Sequence, residues 1–419
     1  MVAGEKKGKE KIFFHHSIVA LASVKCDAKR TYVPSCPSVK GTNPLFILYT
    51  IIFSLYRKIL GTKGHEIKEK YPDSILIAVV SSSFTQRGDV SILDKWTKTQ
   101  ITLDNGIDIV VELPYVYATQ SSDIFANGAV TILNKLGIDT LVFGTESDNI
   151  DTIASIAELQ LNNQEYDNLV KKYLKEGLNY PTATNKAVMK LSGIKIDTPN
   201  DLLALSYIKE VKKLNKDINI INIKRTNSYH SFSVEDNIAS ATAIRNKNLN
   251  NENISKLIPY SPKLLQNISM NSFYPYLKYK IISTNNNINK YQTVEEGIEN
   301  RIIKSISISN NYEELIKNIK TKRYTYNKIS RMLLHILNDF TKEEALNINI
   351  DYIRVLGFNL NGQKYLNNIK KKIDIPLLTG YKKNISKILD IELRVTKIYS
   401  LVAVDISKKE YDKKPIIKK

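Results

Sequence analysis

The sequence of 419 residues predicts an α/β protein, with a doubly wound parallel sheet followed by a mainly α-helical second domain. Three observations support this fold class. Apolar, β-branched runs alternate with helical periods in the first part of the chain, and helical periods dominate after about residue 255. The net charge of +19 is also uneven, with −6 on residues 71–200 and +17 on residues 201–419. We therefore predict an atypical N-terminal segment 1–70, an α/β domain 71–254 and a basic helical domain 255–419.

Four short runs in the first part have the composition of strands that are buried on both faces. They lie at 74–80, 107–112, 139–143 and 217–223. A strand that is apolar on both faces is typical of a parallel sheet with helices on both sides. Helical patterns separate these runs, at 90–104, 121–136 and 200–214. This alternation of strands and helices predicts βαβ units with right-handed crossovers.

The second part has apolar residues at three- and four-residue steps with basic residues between them. The clearest stretches are residues 293–306 and 312–337. A hydrophobic fraction of 42% and a charged fraction of 25% exclude wholesale disorder and fibrous folds. The apolar run 44–56 is shorter than the roughly 20 residues of a membrane helix, so we interpret it as a buried strand or helix.

The only two cysteines, Cys26 and Cys36, cannot form a disulfide scaffold. Neither cysteine has a histidine at a spacing typical of metal ligands, so no metal site is predicted. A reducing, cytoplasmic location is the expectation for such a chain.

Polar residues follow the predicted strands, and doubly wound sheets bind ligands at the carboxyl ends of their strands. Gly144 ends the third run, where a glycine lets a ligand approach the backbone or simply forms a turn. Asn200 opens a helix, as an N-cap or as an amide that contacts a base or ribose. Lys224 and Arg225 directly follow the fourth run, where cations suit a phosphate.

Two more segments are candidates of the same kind. Residues 86–88 (Gln-Arg-Gly) follow the first run, with Asp94 in the first turn of the next helix; an ordinary loop is the alternative. Ser240 and Thr242 precede Arg245 by about one turn, a pattern that suits a polyphosphate at a helix start. Ser240 is equally consistent with a helix cap.

Long blocks of the sequence closely resemble the bacterial tRNA(Met) cytidine acetate ligases. The first block reads IAVVSSSFTQRGDVSILDKW, continues through GIDIVVELPYVYATQSSDIFANGAVTILNKLGIDTLVFGTES, and ends near residue 147. Further blocks follow in the family's order: TPNDLLALSYIKE (198–210), INIKRTNSYHS (221–231), ASATAIRN (239–246), EEGIENRI (295–302), KTKRYTYNKISRMLLHIL (320–337), DYIRVLGFN (351–359) and LRVTKIYS (393–400). The resemblance covers about 78–400.

The resemblance implies a nucleotidyltransferase-like (Rossmann-like) domain and a helical tRNA-binding part. It implies that ATP activates acetate as acetyl-adenylate, and that the acetyl group passes to N4 of the wobble cytidine in elongator tRNA(Met). Mg²⁺ is expected with ATP. Gly144, Asn200 and Arg225 match the family's ATP-contacting positions, with Lys224 beside Arg225. The SATAIR run resembles a phosphate-binding signature, which gives Ser240, Thr242 and Arg245 as weaker candidates.

For RNA binding the candidates are the basic residues Lys320, Lys322, Arg323 and Arg331. A run of this kind is also consistent with a basic helix face that only contacts solvent.

The N-terminal segment departs from the family's pattern. The family begins with a strand that leads into Tyr-Asn-Pro-Phe-His-x-Gly-His, which packs against the ATP phosphates. Here Asn43-Pro44 matches only the Asn-Pro part, and Gly64-His65 matches only the Gly-His end. Ser82 also stands where the family has a glycine. A degenerate gene, a reading-frame or start-site error, and true divergence all explain the difference. The alternative function is therefore a tRNA-binding relative with impaired catalysis.

Overall fold

The computed structural model describes most of the chain from residue 67 onward and one short strand before it. The described residues are 20–22, 67–69, 71–224, 241–258, 260–284, 287–295, 297–346, 348–403 and 406–419. The strands are β1 Ala20–Ala22, β2 Ile77–Ser81, β3 Ile109–Leu113, β4 Thr140–Thr145, β5 Asn219–Lys224, β6 Ile353–Asn359, β7 Leu377–Leu378 and β8 Ile416–Lys418.

The helices follow the same order along the chain. They are α1 Lys95–Asp104, α2 Tyr115–Ala118, α3 Ser122–Lys135, α4 Ile150–Asn162, α5 Gln164–Lys175, α6 Tyr180–Ser192, α7 Pro199–Lys213, α8 Ala241–Leu249, α9 Met270–Ser283, α10 Ile298–Ile308, α11 Tyr312–Ile319, α12 Tyr326–Leu337, α13 Lys342–Ala345, α14 Leu360–Ile369, α15 Lys387–Tyr399 and α16 Ser407–Asp412. A short 3₁₀ turn lies at Pro262–Leu264.

All eight strands belong to one sheet, with the order β5-β4-β1-β2-β3-β6-β7 and with β8 paired to β6. The pairs β2 with β3, β4 with β5, β6 with β7 and β6 with β8 are parallel. Strand β1 is antiparallel to both neighbours, and β6 is antiparallel to β3. The predicted α/β class is confirmed, with a mixed sheet in which most pairs are parallel.

The central strands are covered on both faces. Five consecutive residues of β2, from Ile77 to Ser81, are at most 1% exposed. Because successive side chains of a strand point to opposite faces, this burial requires packing on both sides. Helix α1 packs against β2, β3 and β6, while α3 and α7 pack against each other beside β4. The ring of Tyr207 on α7 stacks on Phe143 of β4 at 5.6 Å.

Strand β5 differs from the prediction in its burial. We expected 217–223 to be buried on both faces, but Asn219–Lys224 is half-buried with both ends exposed. The strand order explains this result, because β5 lies at the edge of the sheet and pairs with β4 alone.

Two predicted helices have different limits in the structure. Helix α1 begins at Lys95 and not near residue 90, because the Asp94 carboxylate caps it by accepting from the backbone N–H of Trp96 at 2.9 Å. The stretch 312–337 is two helices, α11 and α12, separated by residues 320–325. Thr325 caps α12 by accepting from the backbone N–H of Lys328.

The expectation that strands stop after residue 255 is wrong. Strands β6, β7 and β8 return to the sheet, and β6 pairs with β3 through Val111 and Val355. Residues 255–419 are therefore mainly helical and also contribute the far edge of the sheet. The apolar run 44–56 and both cysteines lie outside the described residues.

Strand β1 occupies the position between β2 and β4. Its residue Leu21 pairs with Ala78 on one side and with Val142 on the other. Its last residue, Ala22, pairs with Ile77, the first residue of β2. The carboxyl end of β1 is therefore at the opposite edge of the sheet from the carboxyl ends of β2 and β4.

Candidate active site

The carboxyl ends of β2, β3, β4 and β5 meet at one edge of the sheet, which we call the ligand edge. Gly144 lies within β4, half-buried, and pairs with Ile223 of β5. The next position on β5 is Lys224, opposite Thr145. Two of the predicted ATP residues are thus brought side by side.

Asn200 reaches the ligand edge because α7 begins directly beside the end of β4. The carboxylate of Glu146 accepts from the backbone N–H of Asn200 at 3.0 Å and of Asp201 at 3.2 Å. It also accepts from the Asn200 side-chain amide. In return, the Asp201 carboxylate accepts from the backbone N–H of Glu146 at 2.9 Å and of Ser147 at 3.2 Å. This reciprocal exchange fixes Asn200 relative to Gly144.

One atom of Asn200 has no partner among the residues that the structure describes. The residue is 1% exposed, and its Oδ1 is buried without a hydrogen-bond donor among the described residues. The nearby Thr198 Oγ1 is likewise buried and unpaired. A buried, unpaired acceptor is costly unless a ligand or ordered water supplies a donor. The arrangement suits a ligand with N–H or O–H groups, such as an adenine or a ribose.

The basic candidates are only partly described. Lys224 is exposed, and its Nζ lies 3.3 Å from Asp148 Oδ2. Arg225, Ser240 and the side chain of Thr242 lie outside the described residues. Arg245 on α8 is mostly buried, with its Nη1 2.8 Å from Asp89 Oδ2. This ion pair joins the SATAIR segment to the loop after β2.

The loop after β2, residues 82–94, is held against α12. Ser330 Oγ donates to the Gly88 carbonyl at 2.6 Å, and Arg331 Nη1 donates to the Gln86 carbonyl at 3.3 Å. Gly88 has φ +85°, and a Cβ there would lie 2.5 Å from the backbone nitrogen of Arg331. Only glycine permits both this backbone conformation and this close approach. Arg331, predicted as an RNA contact, is half-buried in this junction.

A cluster of buried charges lies beneath the same end of β2 and β3. Lys95 Nζ lies 2.7 Å from Glu410 and 3.7 Å from Glu392, and it also contacts Glu112. Arg354 contacts Glu410 and lies 3.5 Å from Glu112. These five side chains come from α1, β3, β6, α15 and α16. Sequence reasoning missed the cluster, because its members are far apart in the chain and follow no motif.

Burial and charge alter the acidity of this cluster. Burial, and then the charge of Glu112, raise the pKa of Glu392 to about 7. Burial alone would lower the pKa of Lys95, but the Glu112 and Glu410 carboxylates outweigh it and raise that pKa. The Glu392 carboxyl accepts from the Ser82 hydroxyl and from the Tyr115 backbone N–H at 2.6 Å. Ser82 thus connects the ligand edge to the cluster.

Lys98 lies next to this cluster. Its Nζ donates to the carbonyls of Ser81 at 2.8 Å and Ser82 at 2.7 Å. Burial lowers the pKa of Lys98 to about 7. Lys98 therefore holds the chain where it leaves β2.

The other RNA candidates are on the surface. Lys320, Lys322 and Arg323 are exposed and lie in the loop between α11 and α12, so they are not on a helix face. The Asn179 side chain, at the start of α6, donates to the Lys322 carbonyl at 3.3 Å. The loop is therefore anchored by its backbone, while its basic side chains face solvent.

Comparison with known proteins shows the family to which the chain belongs. The HIGH nucleotidyl transferase family model matches residues 63–414. The tRNA(Met) cytidine acetate ligase of Bacillus mycoides is 37% identical over 80% of this chain and 91% of that protein, and the one of Caldicellulosiruptor saccharolyticus is 37% identical over 80% and 88%. The chain belongs to the tRNA(Met) cytidine acetate ligase family.

Solved structures of this family agree with the fold. The crystal structure of Thermotoga maritima TmcAL in the apo form has a TM-score of 0.77 and 26% identity, and the match covers 84% of this chain and 94% of that one. The structure of the same protein bound with alpha-thio ATP has a TM-score of 0.73 at the same identity and coverage. The resemblance to the tRNA(Met) cytidine acetate ligase family that the sequence blocks indicate is confirmed.

The described residues contain neither a candidate membrane helix nor a cluster of metal-ligand side chains. None of the helices that the structure describes is both long and apolar enough to span a membrane. Within the same residues, no group of three or more His, Cys, Asp or Glu side chains is arranged to hold a metal ion. The match to the HIGH nucleotidyl transferase family model begins at residue 63, directly before Gly64-His65, which lie outside the described part of the chain.

Proposed function

We propose that this protein is an ATP-dependent ligase that acetylates the wobble cytidine of elongator tRNA(Met). The observation that carries the proposal is 37% identity to a tRNA(Met) cytidine acetate ligase over 91% of that relative's length. The geometry of the ligand edge supports it, because Asn200 offers a buried, unpaired acceptor beside Gly144.

The proposed reaction has two steps. In the first, an acetate oxygen attacks the α-phosphorus of ATP, and the bond to pyrophosphate breaks as acetyl-adenylate forms. In the second, N4 of cytidine attacks the acetyl carbon, the bond to AMP breaks, and the amine loses one proton. Alignment and charge stabilisation are what the protein must supply in both steps.

The residues proposed to hold ATP surround the ligand edge. Gly144 and Asn200 would contact the nucleoside, and Lys224 and Arg225 the phosphates. Ser240, Thr242 and Arg245 are the weaker phosphate candidates. Mg²⁺ is proposed to accompany ATP, since this ion usually binds through phosphates with one or two carboxylates. Lys320, Lys322 and Arg323 would bind the tRNA backbone, and Arg331 would act through the loop after β2.

A second candidate function is tRNA binding without catalysis. It is favoured by the direction of β1, whose carboxyl end lies at the edge opposite the ligand edge. The resemblance implies that in the family the first strand leads directly into the phosphate-binding segment. Under this alternative, the basic loop is retained while adenylation is lost.

One experiment separates the two functions. Purified protein is incubated with ATP, acetate and tRNA(Met), and pyrophosphate release and N4-acetylcytidine are measured, with a reaction lacking acetate as control. The ligase proposal expects both products, and both should depend on acetate. Salt-dependent tRNA binding without pyrophosphate release would reject the ligase for this chain and support the alternative.

A further inference from the structure

A cavity of about 80 Å³ lies between the loop after β2, helix α8 and the helices of the second part. Its polar lining includes Asp89 from the loop, Arg245 from α8, and Glu313, Tyr326 and Asn327 from α11 and α12. The apolar residues that line the cavity include Val90, Ile268 and Met270. The cavity is thus built from segments that are distant in sequence and that contact each other only in the folded chain.

Two polar atoms of the lining are buried without a hydrogen-bond partner in the part of the chain that the structure describes. They are the acceptor Asn327 Oδ1 and the donor Arg245 Nε. Arg245 uses Nη1 for Asp89, while its Nε is buried without a hydrogen bond to the described residues. Since a buried unpaired group costs about 1–3 kcal/mol, the pair indicates a ligand that has both an acceptor and a donor.

The charges of the side chains that line the cavity argue against a simple anion as its ligand. The carboxylates of Asp89 and Glu313 balance the guanidinium groups of Arg87 and Arg245. Burial, followed by the charges of Asp89 and Glu313, raises the pKa of Tyr326, so its hydroxyl lies in a negative field. An N–H donor is favoured in such a field, and a carboxylate is not.

The size of the cavity limits its ligand further. An apolar cavity of about 150 Å³ is enough to enclose benzene. About half that volume holds one polar edge of a planar six-membered ring, but not a complete nucleoside. The ring of Tyr326 and the Met270 side chain offer apolar surface against which such a ring can pack.

We propose that this cavity binds the amine edge of the target cytosine, with N4–H donating to Asn327 Oδ1 and N3 accepting from Arg245 Nε. The assignment rests on the proposed function, which makes the cytosine amine the acetyl acceptor. The amine edge of cytosine has an amino donor beside a ring acceptor, which is the complement of these two unpaired atoms. Uracil presents a carbonyl oxygen instead of the amine.

The position of the cavity agrees with this assignment. Asn327 lies in the first turn of α12, four residues after the basic Arg323. An RNA held by Lys322 and Arg323 would therefore have an unstacked base near the cavity, as is usual when single-stranded bases are read. On the other side, Arg245 belongs to the segment that resembles a phosphate-binding signature.

The test compares two anticodon stem-loop RNAs that differ only in cytidine or uridine at the wobble position. Binding to the full-length protein is measured by fluorescence anisotropy, without ATP. The unchanged protein should bind the cytidine RNA roughly tenfold more tightly. Asn327→Leu removes the acceptor and should abolish this preference, whereas Asn327→Asp keeps an acceptor and should retain it.

Arg323→Ala is the matched control, because it lies outside the cavity. It should weaken binding of both RNAs equally and leave their ratio unchanged. Equal binding of the two RNAs by the unchanged protein, or a preference that survives Asn327→Leu, would overturn the proposal. A preference for cytidine without pyrophosphate release would reject the ligase function alone. Acetylation that is unaffected by Asn327→Leu would reject the cavity assignment alone.

Discussion

The side-chain amide oxygen of Asn200 is buried, and none of the described residues donates a hydrogen bond to it. The residue is 1% exposed, and its amide nitrogen is already bonded to Glu146. The predicted alternative, that Asn200 is an N-cap, is wrong, because Thr198 is the N-cap of α7 and Asn200 is the second residue of that helix. The same position therefore combines a structural bond with an open one, and the open bond is what we assign to ATP.

Asn200→Ala should lower the affinity for ATP roughly tenfold, the effect of one lost hydrogen bond to a buried group. Isothermal titration with ATP measures it. Asn149→Ala is the control, since Asn149 caps α4 by accepting from Thr152 at 3.0 Å. The control should lose about 0.5–2 kcal/mol of stability and keep its ATP affinity. Equal ATP affinities in the two variants would contradict our assignment.

Glu392 should make stability depend on pH. Its pKa is raised from 4.5 to about 7, so between these values the folded protein holds a proton that the unfolded chain releases. The resulting stabilisation is complete below pH 4.5 and is lost as the pH rises to about 7. Glu392→Gln should reduce this pH-dependent decrease in the free energy of unfolding, by at most about 1.4 kcal/mol per pH unit. Urea unfolding at a series of pH values measures it.

Lys98→Met distinguishes the pH dependence of stability caused by Glu392 from that caused by the neighbouring cation Lys98. The pKa of Lys98 is lowered from 10.5 to about 7, so its effect on stability appears only between these values, where stability rises with pH. The Lys98 variant should therefore leave the fall between pH 4.5 and 7 intact. An unchanged fall in the Glu392 variant would show that another group causes it.

The sequence predicted individual residues best where one segment contains the whole signal. Asn200 could be proposed as a ligand contact because it follows Thr198-Pro199 at a helix start, in a block that resembles a family. The partners of Lys95 were not recognisable, because Glu112, Glu392 and Glu410 reach it only through the tertiary fold. A buried lysine has no local signature in a sequence.

At the scale of elements, the loop after β2 is held against α12 by hydrogen bonds from Ser330 and Arg331. Gly88→Ala should destabilise the protein by more than Gly177→Ala, although both glycines have nearly the same φ, +85° and +84°. The first variant has a Cβ 2.5 Å from the Arg331 nitrogen, and the second meets no atom within 4 Å. The left-handed conformation costs about 1–2 kcal/mol in each, and overpacking adds about 1–3 kcal/mol at Gly88.

Thermal or urea unfolding of both glycine variants gives the comparison. Because backbone conformation is matched, the difference between them measures the contact of the loop with α12. Similar losses of stability would mean that the loop can move away from α12 without cost.

The loop between α11 and α12 should determine how tRNA binding depends on salt. Lys322→Ala with Arg323→Ala should weaken binding and reduce the log–log salt slope by about one for each lost phosphate contact. Lys370→Ala with Lys371→Ala is the control. Those exposed lysines follow α14, which begins directly after the end of β6 that pairs with Ile109, the first residue of β3. Equal slopes in the two double variants would exclude the loop as an RNA contact.

The sequence predicted the type of most helices and strands better than it predicted the position of the strands in the sheet. The hydrophobic runs located β2, β3 and β4, but a run of apolar residues does not encode the order of strands, so the edge position of β5 was missed. Strand β6 was also missed as a strand, since the buried Arg354 interrupts its apolar pattern. That arginine is tolerated only because Glu410 and Glu112 are its partners.

For the whole molecule, the sheet and the second part should unfold together. The single tryptophan, Trp96, is 2% exposed and lies 5.6 Å from the Arg354 guanidinium and 5.4 Å from Lys413 Nζ. Its fluorescence therefore reports the junction between the predicted segments 71–254 and 255–419. Fluorescence and far-ultraviolet circular dichroism should give coincident urea transitions. Two separate transitions would show that the segments are independent units.

The predicted boundary near residue 254 marks a change in composition more than a break in the fold. Charge and helical periodicity change there, and these are properties that a sequence displays directly. The pairing of β3 with β6 and the shared charge cluster cross the boundary. Such contacts depend on which distant segments meet, and no periodicity reports that.

The pairing of β3 with β6 also has a consequence for synthesis on the ribosome. β3 is complete at Leu113, but its second neighbour begins only at Ile353. At about 5–20 residues per second, the nascent chain waits roughly ten seconds to one minute before that edge can be covered. During this time Lys95 and Glu112 lack their later partners and an apolar strand edge stays open. A chaperone that shields nascent strand edges should therefore raise the yield of folded protein.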